Sequence, residues 1–337
     1  MIEESINGLV QGRHLSRSEA GALMRLLMEG RLSPAQMGGL LVALRMKGET
    51  VDEITGFAET MRAFATPVTP RRRPLVDTCG TGGDYAGTFN VSTTAALIVA
   101  GAGVAVAKHG NRKASSRCGS ADVLEALGVN IDADPRMVAR CIDEVGIGFL
   151  FARQLHTAMK HVVETRQDLR IRTVFNILGP LTNPAGATGQ VMGVPDVRMV
   201  EPIARVLANL GCEHAVVVSG SDGLDELTVT GTTHVGEARD GEVRYYDLDP
   251  REYGIEPGRR EDLIGGEADE NARVLLAVLD GEPGPRRGIS VLNAAAGIYV
   301  GGAAKTWPEA IEAARASIDS GAARRTLDAL IRVSNDS

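Results

Sequence analysis

Four cysteines, Cys79, Cys118, Cys141 and Cys212, are scattered through 337 residues, and no two of them form a C-x-x-C pair. A structural zinc site needs closely spaced thiolates or imidazoles, so that class is excluded. Thiols so dispersed are expected to be free, in the reducing cytoplasm. The opening MIEESINGLVQ has neither the basic start nor the apolar core of a secretion signal. Long apolar runs are missing as well. The longest, Ala95 to Ala107, is broken by Gly101 and Gly103 and is too short to span a bilayer. Nor is there a basic excess: the formal net charge is −7. Neutralising nucleic-acid phosphates needs a basic face, so no nucleic-acid partner is expected, and any anion site must be local. No internal repeat, Walker A loop or G-x-G-x-x-G fingerprint is present.

What the chain does hold is an apolar share of 44% and 40 glycines spread through apolar segments. That is enough for a sizeable core and for two domains. The first 65 or so residues predict helices. Ser16 with Glu19, Ser33 with Gln36 and Thr50 with Glu53 read as capping boxes, with Pro34 at the first helical position after Ser33. Met37, Leu40, Leu41 and Leu44 form one apolar stripe; Ile54, Phe57, Ala58 and Met61 form another. Short helices bury little alone, so they must pack on the rest of the chain or on a second subunit. TPVTPRRRP, from Thr66, is a linker by composition. Beyond it strands and helices alternate. LVDTCG, VAVAK and HAVVVSG read as strands, STTAALIVAGAG and ADVLEALG as helices, and THVGEARDGEVRYYDL as a hairpin turning at Asp240-Gly241. This pattern predicts an α/β domain with a mainly parallel sheet.

Four stretches could carry chemistry. In DTCGTGGDYAGTFNVSTT, glycines after a strand let backbone N–H groups approach an anion, and a helix start follows. In AVAKHGNRKASSRCGS, Lys108, His109, Arg112 and Lys113 crowd the end of a second strand. Both loops should open on the carboxyl edge of the sheet, where open α/β folds bind ligands. In SGSDGLDELTV, the neighbouring Asp225 and Glu226 suit a hard cation such as Mg2+. In FARQLHTAMKHVVETRQDLRIRTVFNILGPLTNPAG, Arg166 and Arg170 lie a helical turn apart and read, on pattern alone, as a solvated face, while His156 and His161 read as ordinary packed or surface histidines.

Taken together, GTGGD, FNVSTTAA, VAKHGNRKASS, GSADVLEALG, TVFNILGPLTNPA and DGLDEL resemble the anthranilate phosphoribosyltransferases, in order and spacing, over nearly the whole chain. The resemblance implies transfer of the phosphoribosyl group from 5-phosphoribosyl 1-diphosphate to anthranilate, in tryptophan biosynthesis. It implies a nucleoside phosphorylase/phosphoribosyltransferase-like fold: a small helical domain over residues 1–70, joined by helices from about 165–190, and an α/β domain over 71–337. It assigns the donor to Gly80, Gly83, Asp84, Thr88, Asn90, Val91, Ser92, Thr93, Lys108, His109, Gly110, Asn111, Arg112, Lys113, Ala114, Ser115, Ser116 and Ser120. Anthranilate falls to Gly80, Asn111 and Arg166 with His109 close by, and a pair of Mg2+ ions per subunit to Ser92, Asp225 and Glu226. No dedicated general base is identified. A cytoplasmic homodimer is implied, with no membrane partner. Family members often carry prolines where this chain has Arg153 and Thr157. A pyrimidine nucleoside phosphorylase is the rival enzyme and a nucleic-acid-binding paralogue the rival non-enzyme. The former needs no Asp225-Glu226 site, and the latter fits poorly with the net charge.

Overall fold

The structure, a computed structural model, describes residues 2–113 and 117–336. Four helices open the chain: α1 (Ile2–Val10), α2 (Arg17–Met28), α3 (Pro34–Lys47) and α4 (Val51–Phe64). The last three start on the three expected capping boxes, each with both reciprocal bonds formed. Glu53 does more than cap. Wholly buried, it accepts the Leu15 N–H at 2.8 Å and pairs with Lys47 at 2.9 Å, tying the α1–α2 connection, α3 and α4 together. No cap signature announces α1, which begins at the chain's start.

The linker is pinned rather than free: the Thr66 and Val68 N–H groups donate to the carbonyls of Leu155 and Pro184. Then come β1 (Leu75–Gly80), α5 (Val91–Gly101), β2 (Ala105–Gly110), α6 (Ser120–Ala126), α7 (Pro135–Val145) and β3 (Ile147–Phe151). A short helix α8 (Ala152–Leu155) follows directly on β3, and then α9 (Lys160–Leu169) and α10 (Phe175–Leu178) pack on the bundle. The sheet resumes with β4 (Gly189–Gly193), α11 (Val200–Asn209), β5 (His214–Gly220), β6 (Thr233–Arg239) and β7 (Glu242–Leu248). Four helices finish the chain: α12 (Ala268–Leu279), α13 (Pro285–Val300), α14 (Trp307–Asp319) and α15 (Ala322–Ser334).

The seven strands run in the order β3-β2-β1-β4-β5-β6-β7. β1 to β5 are parallel; β6 and β7 add an antiparallel hairpin. Its turn falls at Asp240-Gly241, both at positive φ, as the sequence predicts. Strand periodicity splits β5 between two cores. Val216 and Val218 face α5 and α13; Ala215 and Val217 face α11 and the bundle. α5 is buried almost all round, which is why its sequence is apolar without a stripe. The bundle's Leu40, Phe57 and Met61 share one cluster with Val162, Phe175 and Leu178 of α9 and α10. Among the described residues, no helix is long and apolar enough to cross a membrane.

Candidate active site

The strand order turns at β1. From there the chain builds outward to β2 and β3, then jumps to β4 on the other flank. Such a switch point opens a crevice beyond the strands' carboxyl ends. The loops after β1, β2, β4 and β5 all leave the sheet at that edge, so the first three candidate stretches converge there.

The loop after β1 meets the acidic loop after β5. The Gly82 N–H donates to Asp225 Oδ2 at 2.7 Å, across 143 positions of sequence. Gly80 must be glycine here, since a Cβ would stand 2.2 Å from the same oxygen. Gly83, at φ +85°, lies under the guanidinium of Arg172 and has no room for a Cβ either. Arg172 Nη1 donates to Gly82 O at 2.9 Å and braces the loop from the bundle side. Asp84 accepts the Ala86 N–H, and Thr88 forms an antiparallel bridge with Ile264.

Asp225 and Glu226 are not a solvated acidic turn, as their composition suggests. Asp225 is 9% exposed. Burial raises both carboxyls; Asp84 adds to the rise at Asp225, and Asp225 to that at Glu226. These acids are crowded and short of positive charge, with Lys108 the cation nearest Glu226 in effect. Ser92, in the first turn of α5, lies against Glu226, and the Thr78 hydroxyl donates to its carbonyl at 3.1 Å. Asn90 occupies the cap position of α5 without capping it. Its Oδ1 instead accepts from Asn271 at 2.9 Å and its Nδ2 reaches Cys118 O. Val91 is buried, and the Thr93 hydroxyl is buried with no partner among the described residues.

The basic cluster divides into different environments. Lys108 is 2% exposed and donates to Thr78 O at 2.6 Å, so it sits within the sheet rather than on the loop. Burial lowers its pKa, while Asp77, Cys79 and Glu226 hold it up. Arg112 is committed to Asp122 and Glu125 in ion pairs of 3.0 and 2.7 Å, which raise its pKa. α6 places both carboxylates within its reach. Lys113 is exposed, 3.7 Å from Glu267. Asn111 O accepts from the Ser120 hydroxyl and the Ala121 N–H, closing the loop after Gly110. Ala114, Ser115 and Ser116 lie outside the described residues.

Beneath this loop His109 is buried, its Nδ1 3.1 Å from Gly179 O and its Nε2 3.2 Å from His156 Nε2. Burial, with His156 beside it, drives its pKa down to about 3; burial takes His156 to about 4. Both rings are neutral at pH 7. Arg166, on α9, is only partly exposed and lies 5.2 Å from the Phe175 ring centroid; burial lowers its pKa. Arg170 is at the helix end, exposed, in the left-handed conformation.

Three supporting residues escaped the sequence reading. Asp77 accepts the His109 N–H at 3.0 Å and the Asn183 amide at 2.8 Å, and Asn183 also donates to Ala107 O. A carboxylate inside the apolar strand LVDTCG was the available signal for Asp77. For Arg172 there was none, because its partner is a backbone carbonyl 90 positions away.

Residues 3–65 match the glycosyl transferase family helical bundle domain, and residues 72–324 the a/b domain of the same family. An anthranilate phosphoribosyltransferase of Symbiobacterium thermophilum is 55% identical over 95% of this chain and 94% of its own. The chain belongs to the anthranilate phosphoribosyltransferase family. A solved family member from Thermus thermophilus superposes with a TM-score of 0.94, at 45% identity over 98% of this chain and 99% of its own. The Saccharomyces cerevisiae member in complex with PRPP and Mg superposes at 0.89, with 27% identity over 99% of this chain and 97% of its own. That yeast enzyme has also been solved with 4-fluoroanthranilate.

Proposed function

We infer that the chain transfers the phosphoribosyl group of 5-phosphoribosyl 1-diphosphate to anthranilate, releasing diphosphate, as a step of tryptophan biosynthesis. The observation that carries this reading is the contact between Asp225 and the glycine loop at the switch point. It joins anion-friendly backbone to hard oxygen ligands in one crevice.

The donor is read at Gly80, Gly83, Asp84, Thr88 and Asn90 to Thr93, with Lys108 to Lys113 and Ser120 around it. Magnesium suits the acidic corner. Asp225 is a buried carboxylate and Glu226 a partly buried one, crowded by each other, and Ser92 adds an oxygen. Among the described residues, no three His, Cys, Asp or Glu side chains form a metal site unaided. That agrees with an ion that prefers one or two carboxylates completed by substrate phosphates. We place two ions per subunit there; when bound with diphosphate they would supply positive charge against the leaving group.

Cleaving the bond from ribose C1 to diphosphate leaves positive charge on the sugar and negative charge on the leaving group. The loop N–H groups and Lys108 stabilise the latter as it develops. Anthranilate's aromatic amine is neutral at pH 7 and already nucleophilic, so it needs positioning more than deprotonation. Arg166 holds its carboxylate, with Gly80, Asn111 and His109 around it. His109, neutral at pH 7 and with both ring nitrogens already partnered, offers ring surface rather than charge. Domain limits of 1–70 and 71–337, a helical-domain homodimer and a cytoplasmic location complete the reading.

Mixing the protein with donor, Mg2+ and anthranilate, and following anthranilate fluorescence, tests it. Consumption of anthranilate that requires both donor and Mg2+ is expected. Phosphorolysis of a pyrimidine nucleoside, with anthranilate untouched, would instead establish the rival enzyme.

A further inference from the structure

A second cavity lies where the bundle meets the sheet. It holds 240 Å3, room for about eight waters at roughly 30 Å3 each. Pockets for drug-sized ligands run to roughly 300–1,000 Å3, so its occupant is smaller. The α3–α4 connection, residues 172–177 and the start of α11 form its walls. One side is apolar, with Ile54, Ile177 and Ile203.

The polar side is left incomplete. Three buried side-chain oxygen atoms lack a hydrogen-bond partner among the described residues: Glu49 Oε1, Thr93 Oγ1 and Thr173 Oγ1. Roughly 90% or more of buried polar groups are paired, so such atoms mark places where something is missing. Thr93 belongs to the donor crevice. Glu49 and Thr173, which carry the other two, both line this cavity. Thr173 is 4% exposed; its N–H is already taken by Asn176 Oδ1 at 2.9 Å, while its hydroxyl is left over. Burial raises the Glu49 carboxyl and neighbouring Arg45 opposes the rise. Arg45 forms no ion pair among the described residues, whereas Arg198, on the same wall, is gripped by both oxygens of Asp196.

A cationic ligand would satisfy Glu49 and leave Arg45 facing it. An anionic ligand would do the reverse. A zwitterion answers both, and the isoleucines provide for an apolar body. We propose that this cavity binds a free α-amino acid with an apolar side chain, its ammonium on Glu49 and Thr173, its carboxylate on Arg45, and its side chain against Ile54, Ile177 and Ile203. Arg172 also lines the cavity, so the occupant lies beside the residue that braces Gly82. The proposal stands independently of the transferase reading.

Calorimetric titration of the full chain with L-phenylalanine and L-leucine, with phenylacetate and phenethylamine as single-charge controls, tests it. At least one of the two amino acids should bind saturably, one per chain, with both controls weaker by about tenfold or more. Glu49→Gln removes one charged hydrogen bond and should weaken binding on the order of 10- to 150-fold. Thr173→Val keeps the shape, loses the hydroxyl and should weaken it several-fold, which provides a second variant if Glu49→Gln fails to fold. Equal binding of phenylacetate and L-phenylalanine, no saturable binding by either amino acid, or displacement by anthranilate that is lost in Arg166→Ala would overturn the proposal.

Discussion

A guanidinium partly buried without a carboxylate partner is held at a cost, and among the described residues Arg166 is such a group. Its pKa is lowered by burial alone, and its neighbour is the face of Phe175 rather than an acid. Its planar fork matches a carboxylate, and lysine is no equal substitute. A hydrogen bond to a charged group contributes roughly 1.5–3 kcal/mol. At about 1.4 kcal/mol per tenfold, Arg166→Ala should weaken use of anthranilate on the order of 10- to 150-fold while leaving the KM for donor nearly unchanged. Arg166→Lys should recover only part of the loss; near-normal anthranilate kinetics in Arg166→Ala would show that the acceptor site has been misplaced. Glu226 poses the opposite problem. It is a partly buried acid crowded by Asp225, with Lys108 as the positive charge that opposes the crowding. Removing its charge should stabilise the metal-free protein by roughly 1–3 kcal/mol, the scale of an unmet buried polar group. The same Glu226→Gln change should strongly reduce turnover at low Mg2+. Thermal unfolding without metal, set beside turnover against Mg2+ concentration, checks both halves. A variant less stable than the parent, with an unchanged Mg2+ response, would remove Glu226 from the metal site.

Among the elements, the hairpin β6–β7 depends on one carboxylate far from the crevice. Glu237 Oε1 accepts from His214 at 2.8 Å and from the Tyr299 hydroxyl at 2.9 Å, and Oε2 accepts from the Tyr246 hydroxyl at 2.9 Å. Trp307 donates in turn to Tyr246, so β5, β6, β7, α13 and α14 meet at this group. Burial alone would raise the Glu237 pKa, but these donors outweigh it and the net shift is downward. A depressed carboxylate contributes stability above its unfolded pKa of about 4.3, and that contribution is lost as pH falls through the lower folded value. Glu237→Gln should therefore cost about 1.5–3 kcal/mol at pH 7, read as a lower urea midpoint at unchanged slope. The gap between parent and variant should close in acid. An unchanged midpoint at pH 7 would mean the network contributes nothing. This hub was not legible in the sequence, because its partners lie 23, 62 and 9 positions from Glu237. The capping boxes were legible because a cap and its partner are three residues apart. The hairpin turn was legible because Asp-Gly specifies its own backbone. The site divides the same way. Its loops were visible as glycine and charge patterns, but the Asp225–Gly82 contact, the burial of Lys108 and the Arg172 brace depend on which loops the topology brings to one edge.

For the whole molecule, the question is which surface the bundle leaves for a partner. Its inner face is already used, since Leu40, Phe57 and Met61 share a core with α9, α10, α11 and one side of the sheet. Its outer face is not. Met46 at the end of α3 is 83% exposed and Val10 at the end of α1 is 71% exposed, and the two helices pack together. Val163 and Ile171, on and just after α9, are exposed as well. Exposed apolar residues gathered on one unit mark an interaction surface more than residues scattered singly do. This surface is the one on which the proposed helical-domain dimer would form. The parent should sediment as a dimer, and Val10→Glu with Met46→Glu should yield monomers in sedimentation equilibrium at the same concentrations. Neither side chain belongs to a core cluster, so the melting temperature of the dissociated chain should not fall through lost packing. The glycine loop, the acidic loop and Arg172 all come from one chain, so the monomer should keep the KM for donor and most of its turnover. A variant that remains dimeric would move the interface off the bundle. A monomer that has lost its donor affinity would show that the partner shapes the crevice, although every residue assigned to it lies within a single chain.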